Sequence, residues 1–177
     1  MSENPILPNI VITGTPACGK SSLGAAIAKT VAGTMHVDLA KVIKDKKLYT
    51  EWDDELNASI LDEELVADYI DQLLEERIEQ GGLILDFHSV GLLPAEFFDR
   101  VFVLRCETST LWDRLSARGY PKHKIDENID CEIFGTCLDE AAELFDADAI
   151  QTLSSNHDDD AKTNLKVISE FLCRAAE

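Results

Sequence analysis

Positive charge is what this chain has least of. Sixteen Lys and Arg stand against 34 Asp and Glu, a net charge of −18 over 177 residues. Such a surface repels phosphodiester backbones, which argues against broad binding to DNA or RNA. It suits a basic protein partner, or simply keeps the chain soluble. No apolar run approaches the roughly 20 residues that span a bilayer, so no membrane partner is expected. Met1-Ser2-Glu3-Asn4-Pro5 has neither a basic stretch nor an apolar one, and is not expected to be a secretory signal. Cysteines number five, an odd count at irregular spacing. They make no disulfide framework, and a reducing cytosolic or nuclear compartment is expected. Cys131 and Cys137 are too far apart for a zinc knuckle, so no zinc is expected, and both read as packing residues. No internal repeat and no low-complexity linker is present.

What the chain does have is Gly14-Thr15-Pro16-Ala17-Cys18-Gly19-Lys20-Ser21, the full G-x-x-x-x-G-K-[ST] pattern. Asn9 to Thr13 before it is short, apolar and β-branched, a buried strand. Leu23 to Val31 after it has helical spacing. A strand, a glycine loop and a helix N-terminus form a nest of backbone N–H groups that binds phosphate. Lys20 can reach β- and γ-phosphates, and the Ser21 hydroxyl can ligate Mg²⁺.

Further along, Thr34 to Val37 reads as a second strand, and Asp38 as the cap of a helix over 39–44. Lys41, Lys44, Lys46 and Lys47 form either a solvated face or a site for a second phosphate. Residues 48–59 read as an irregular or loosely helical flap. Residues 62–80 read as a helix whose Leu65, Val66, Ile70, Leu73, Leu74 and Ile78 are core. Leu83 to Asp86 is an apolar strand ending in a carboxylate, as a Walker B strand does. Asp86 there either holds Mg²⁺ or caps the strand end. His88 either points toward the phosphates or is a loop histidine. Val101 to Leu104 is another strand, ended by Arg105. On the following helix, Arg114 and Arg118 share a face, for phosphate binding or for a surface ion pair. Gly119 to Lys124 is short, basic and glycine-hinged, a candidate lid. Residues 126–145 read as one helix, 149–153 as a last strand, and Asp158 to Asp160 as the cap of a final helix.

The alternation implies one α/β domain over residues 1–177: a five-stranded parallel sheet with helices on both faces. Two insertions, at about 38–61 and 118–127, flank the phosphate loop.

Gly14 to Ser22, Leu48-Tyr49, Ile60 to Glu63, Asp86-Phe87-His88, Val101 to Arg105, Arg118-Gly119-Tyr120 and Asp126 to Phe134 together resemble the nuclear adenylate kinase isoenzyme six family. The resemblance covers roughly residues 8–175. It implies a P-loop NTPase fold of nucleoside monophosphate kinase type with a short lid. It implies transfer of the ATP γ-phosphoryl to AMP, with tolerance for acceptors such as CMP, and slow ATPase activity. It also implies a role in small ribosomal subunit maturation, a basic small-subunit ribosomal protein as partner, and placement in nucleus and cytoplasm. A monomer is expected. By position, Ala17, Cys18, Gly19, Lys20, Ser21 and Ser22 would line the ATP phosphates, with Arg118 and Arg114 facing the nucleotide. Asp86 and His88 would serve Mg²⁺ and an attacking water, and Asp38 and Lys44 would face the acceptor. Four departures stand out. Cys18 replaces an aliphatic residue, and at a helix N-terminus a lowered pKa is expected of it. Ala17 takes a glycine position. Asp38 stands where Asn is common, and Lys44 where Arg is common. An ATP-switched assembly factor remains the alternative to a kinase. Shikimate-type kinases carry an Asp-x-Asp after strand two, and Val37-Asp38-Leu39-Ala40 argues against them.

Overall fold

A computed structural model describes residues 6–53 and 58–174. The strands are β1 (Ile10–Gly14), β2 (Met35–Asp38), β3 (Tyr49–Asp53), β4 (Ala58–Leu61), β5 (Leu83–Asp86), β6 (Arg100–Arg105) and β7 (Ile150–Ser154). The helices are α1 (Lys20–Thr30), α2 (Leu39–Lys46), α3 (Glu63–Arg77), α4 (Thr108–Ala117), α5 (Lys122–Phe134), α6 (Thr136–Leu144) and α7 (Asp158–Arg174). Five strands form one parallel sheet in the order β2-β5-β1-β6-β7.

Both faces of that sheet are covered, which is why its central strands are continuously apolar. Val11, Leu85 and Val103 point to the face packed by α2, α3 and α6, through residues such as Ile43, Ile70 and Ala141. Ile10, Ile12, Phe102 and Leu104 point to the other, against Ile27 of α1, Leu111 of α4 and Ile168 of α7. Each half of the core is a period-two readout of the same strands. Register sets Asp38 beside Asp86, and Gly14 beside Leu104, at the carboxyl ends of neighbouring strands. That edge is where ligands bind open parallel sheets.

Helix starts follow their caps. The Asp38 carboxylate accepts from the Lys41 amide at 2.9 Å, and the Asp62 carboxylate from the Leu65 amide at 3.2 Å. The Asp160 carboxylate accepts the Asn156 and His157 amides ahead of α7. These donors hold its pKa below the ordinary carboxylate range.

Four expectations need correction. The stretch 48–59 is not irregular or helical: β3 and β4 pair antiparallel. Leu48, Tyr49 and Leu61 pin this hairpin to the core, and residues 54–57 lie outside the described residues. The helix expected over 126–145 is two helices. Gly135 adopts φ +73°, a left-handed turn that ends α5 and starts α6. Of the lid expected at 118–127, residues 122–127 already belong to α5. Finally, apolar residues read as core are not all buried. Ile78 lies just past the end of α3 and is 70% exposed. Leu65 is exposed too. Of the N-terminal lead-in, residues 1–5 lie outside the described residues.

The site depends on one tight approach. Gly14 has φ +144°, and a Cβ there would stand 2.6 Å from the Leu104 carbonyl oxygen. Backbone, not a flexible side chain, blocks it. Gly14→Ala should therefore destabilise the fold by about 2–4 kcal/mol, from strain and overpacking together. Urea unfolding checks this, and an unchanged midpoint would contradict it.

Candidate active site

The phosphate loop follows β1, the central strand, and ends in α1. Gly19, at φ +90°, occupies the N-cap of α1 with no side-chain cap, and the first turn carries no acid. The helix N-terminus is thus left to an anion. Ala17 adopts φ +73°, so the turn carries its Cβ in a left-handed conformation. The Lys20 ammonium donates to the Gly14 carbonyl at 2.7 Å and to the Thr15 carbonyl at 3.1 Å. Burial pushes its pKa below the ordinary lysine value. The Ser21 hydroxyl donates to Asp86 at 3.1 Å, and the second Asp86 oxygen is held by His36 Nε2.

These groups open on a cavity of about 820 Å³. Of the residues expected at the site, Ala17, Gly19, Lys20, Ser21 and Ser22 line it on the loop side. Asp38 and Lys44 line it from the α2 side, and Asp86, His88 and Arg118 complete it. Cys18 and Arg114 are not on its wall. The Cys18 side chain is buried in the core beneath the loop. Arg114 donates to the Ser155 carbonyl at 2.8 Å and the Asn156 carbonyl at 3.0 Å, tying α4 to the loop after β7. It does not pair with Arg118 across a shared ligand surface.

The expected lowering of the Cys18 pKa is overturned. A hydrogen bond to Cys106, then burial, pushes the Cys18 thiol up, while the same bond lowers Cys106. Cys131, expected as a packing residue, is exposed on the cavity wall.

Charge in the cavity runs against charge in the chain. Among the described residues, five of its lining side chains are basic: Lys20, Lys41, Lys44, Arg118 and Lys124. Three are acidic: Asp38, Asp86 and Glu140. In a chain with twice as many acids as bases, this is a concentrated cationic pocket. His88 reaches into it, and its carbonyl accepts from Cys137 Sγ at 3.3 Å. His88 stands exposed at the cavity mouth, yet desolvation by the walls around it, then Lys20 and Lys124, lower its pKa from 6.5 to about 4.

That shift has a pH consequence. Between pH 4 and 6.5 the unfolded chain binds a proton at His88 that the native chain does not, so native stability falls as pH drops through this window. Without nucleotide or Mg²⁺, urea unfolding at pH 7 and pH 5 should show a smaller loss for His88→Asn than for the unmodified protein. Equal losses would contradict a neutral His88.

A family described as AAA domain matches residues 10–135. A relative from Caenorhabditis elegans, named adenylate kinase isoenzyme 6 homolog, is 40% identical over 164 residues, 93% of this chain and 88% of its own length. One of the same name from Drosophila melanogaster is 37% identical over 169 residues, 96% and 94% of the two chains. The chain belongs to the adenylate kinase isoenzyme 6 family. As a member of it, the protein is a nucleotide kinase by family and has the P-loop kinase fold. A shikimate kinase from Bacteroides thetaiotaomicron superposes with a TM-score of 0.62 over 94% of this chain and 98% of its own. At 16% identity that likeness concerns the fold alone.

Within this adenylate kinase isoenzyme 6 fold, three side chains around the loop escape pattern reading. His36 looks like an ordinary strand residue, but packs against Gly24, where a Cβ would stand 2.4 Å from the imidazole. Thr15 is an unspecified position of the motif, yet its hydroxyl donates to Glu132 at 2.5 Å. Glu132 stands inside the Asp126 to Phe134 stretch that carries the family resemblance, with no role read for it. It lies seven residues after buried Ile125, on the apolar side of α5.

Proposed function

We propose that this protein transfers the γ-phosphoryl of ATP to AMP, with slower transfer to water. The observation that carries this reading is the cationic cavity, which joins the phosphate loop on one wall to Asp38, Lys41 and Lys44 of the β2–α2 edge on the other. One wall suits the donor's phosphates, the other a monophosphate acceptor. Phosphoryl transfer needs positioning and charge neutralisation more than covalent help. The loop amides and Lys20 grip the donor, Lys44 draws in the acceptor phosphate, and Arg118 approaches from the short lid. The β3–β4 hairpin and the turn at Gly119 flank the cavity and would limit water.

The donor set at Ser21 and Asp86 fits Mg²⁺: a hydroxyl and a carboxylate 3.1 Å apart, both hard oxygen ligands, leaving room for phosphate oxygens and water. Among the described residues no three His, Cys, Asp or Glu side chains cluster, so nucleotide oxygens must complete the shell. When bound, Mg²⁺ offsets charge on the β- and γ-phosphate oxygens. Neutral His88 can accept a proton from a water or hydroxyl in the cavity, the role expected of it in hydrolysis.

An acceptor screen tests the proposal: ADP production from ATP and Mg²⁺ with AMP, CMP, GMP, UMP or water. AMP should give the fastest turnover and water a slow background. A rate of ATP loss indifferent to every monophosphate would contradict the kinase and favour the second reading, an ATP-switched assembly factor with a basic small-subunit ribosomal protein as partner. The net charge of −18 is what supports that partner.

A further inference from the structure

Glu132 is a buried carboxylate, with 3% of its side chain exposed, and its partners come from two other parts of the site. One oxygen accepts from the Thr15 hydroxyl at 2.5 Å. The other accepts from Arg105 Nε at 2.7 Å and from the Cys106 amide at 2.9 Å. Arg105 also donates to the main-chain carbonyl of Glu132 at 2.6 Å. Three elements therefore meet at one side chain: the phosphate loop, the end of β6 and helix α5.

Packing alone does not call for this arrangement. A buried ion pair is seldom more stabilising than an apolar contact of the same volume. What it supplies is direction. The residue it holds in the loop is Thr15, whose carbonyl receives both the Lys20 ammonium at 3.1 Å and the Cys18 amide at 3.2 Å. The helix it holds is the one that presents Lys124 and Asn128 to the cavity. Gly135 follows directly, and a Cβ there would stand 3.0 Å from Arg105 Nη1, so the guanidinium closes over the end of α5.

We propose that Glu132 is a positioning residue of the nucleotide site: through Thr15 it sets the phosphate loop in its binding conformation, and through Arg105 it locks α5 to that same loop. The proposal rests on the reading of the loop as the ATP site. It does not depend on which acceptor is used.

The test uses the full chain with Thr15→Val, Glu132→Gln and the double variant, titrated with MgADP by calorimetry and melted without nucleotide. Each single variant should weaken MgADP binding about tenfold, the effect of removing one charge-assisted hydrogen bond. The double variant should bind no more weakly than Glu132→Gln alone, because that change has already broken the bridge Thr15→Val removes. KM for ATP should rise in parallel, whichever acceptor is used. Thr15→Ser, which keeps the hydroxyl, should bind MgADP as the unmodified protein does. It carries the comparison with Thr15→Val if Glu132→Gln does not fold. A lower melting temperature with unchanged MgADP affinity would mean that Glu132 only packs, and would overturn the proposal. So would a hundredfold loss in the double variant, or equal binding by Thr15→Ser and Thr15→Val. No MgADP binding by the unmodified protein would instead overturn the nucleotide reading underneath it.

Discussion

Lys20→Met should lower kcat about a thousandfold while leaving the protein folded. The ammonium sits at the loop, hydrogen-bonded to the carbonyls of Gly14 and Thr15, and burial already disfavours its charge. A buried cation of this kind contributes little to stability, because desolvation offsets what its two carbonyls return. Methionine keeps the unbranched stem and removes the charge, so the melting temperature should hold or rise. Turnover is different. Charge spreads over the transferring phosphoryl in the transition state, and a preorganised cation in a low-dielectric cavity acts on it most strongly there. Losing it is worth about 4 kcal/mol, which is about a thousandfold in rate. Steady-state kinetics beside a thermal melt decide the matter. Full turnover in a folded Lys20→Met protein would contradict the site.

Asp86→Asn should cost about a hundredfold in kcat and shift the Mg²⁺ requirement upward. Asp86 is 2% exposed, and both its oxygens are engaged, one by Ser21 and one by His36. Asparagine preserves shape and can keep the Ser21 contact, but it is a poor ligand for a hard divalent cation. The loss should therefore appear wherever metal is involved. Calorimetry with ADP in excess chelator should give the same affinity for variant and unmodified protein. With Mg²⁺ present, the variant should bind more weakly. Equal weakening with and without metal would mean that Asp86 shapes the loop rather than serving a cation.

How much of this was legible beforehand depended on burial. β1, β5 and β6 are covered on both faces, so their apolar runs announced them. Asp38 marked the start of α2 because capping chemistry is local. The β3–β4 hairpin stayed hidden because it lies off the main sheet; Leu48, Tyr49 and Leu61 anchor it without making a period-two pattern. The break between α5 and α6 was hidden because apolar spacing continues through Gly135, and only its φ of +73° ends the helix. Within the site, the motif located Lys20 and Ser21, and the strand end located Asp86. Arg114 shared a helical face with Arg118, yet its guanidinium turned to backbone carbonyls that no sequence spacing reveals. Cys18 was read from its helix terminus, whereas its neighbour Cys106 decided its proton affinity. Partners distant in sequence are what one-dimensional patterns omit, and His36–Asp86 and Thr15–Glu132 are of that kind.

The most direct measurement of the central claim is a calorimetric titration of the purified, folded protein with ATP and with ADP, each with and without Mg²⁺. Saturable one-to-one binding, strengthened by Mg²⁺ and lost when Gly14 to Ser21 is disrupted, is the predicted result. Folded protein that takes up neither nucleotide in the presence of Mg²⁺ would contradict the account.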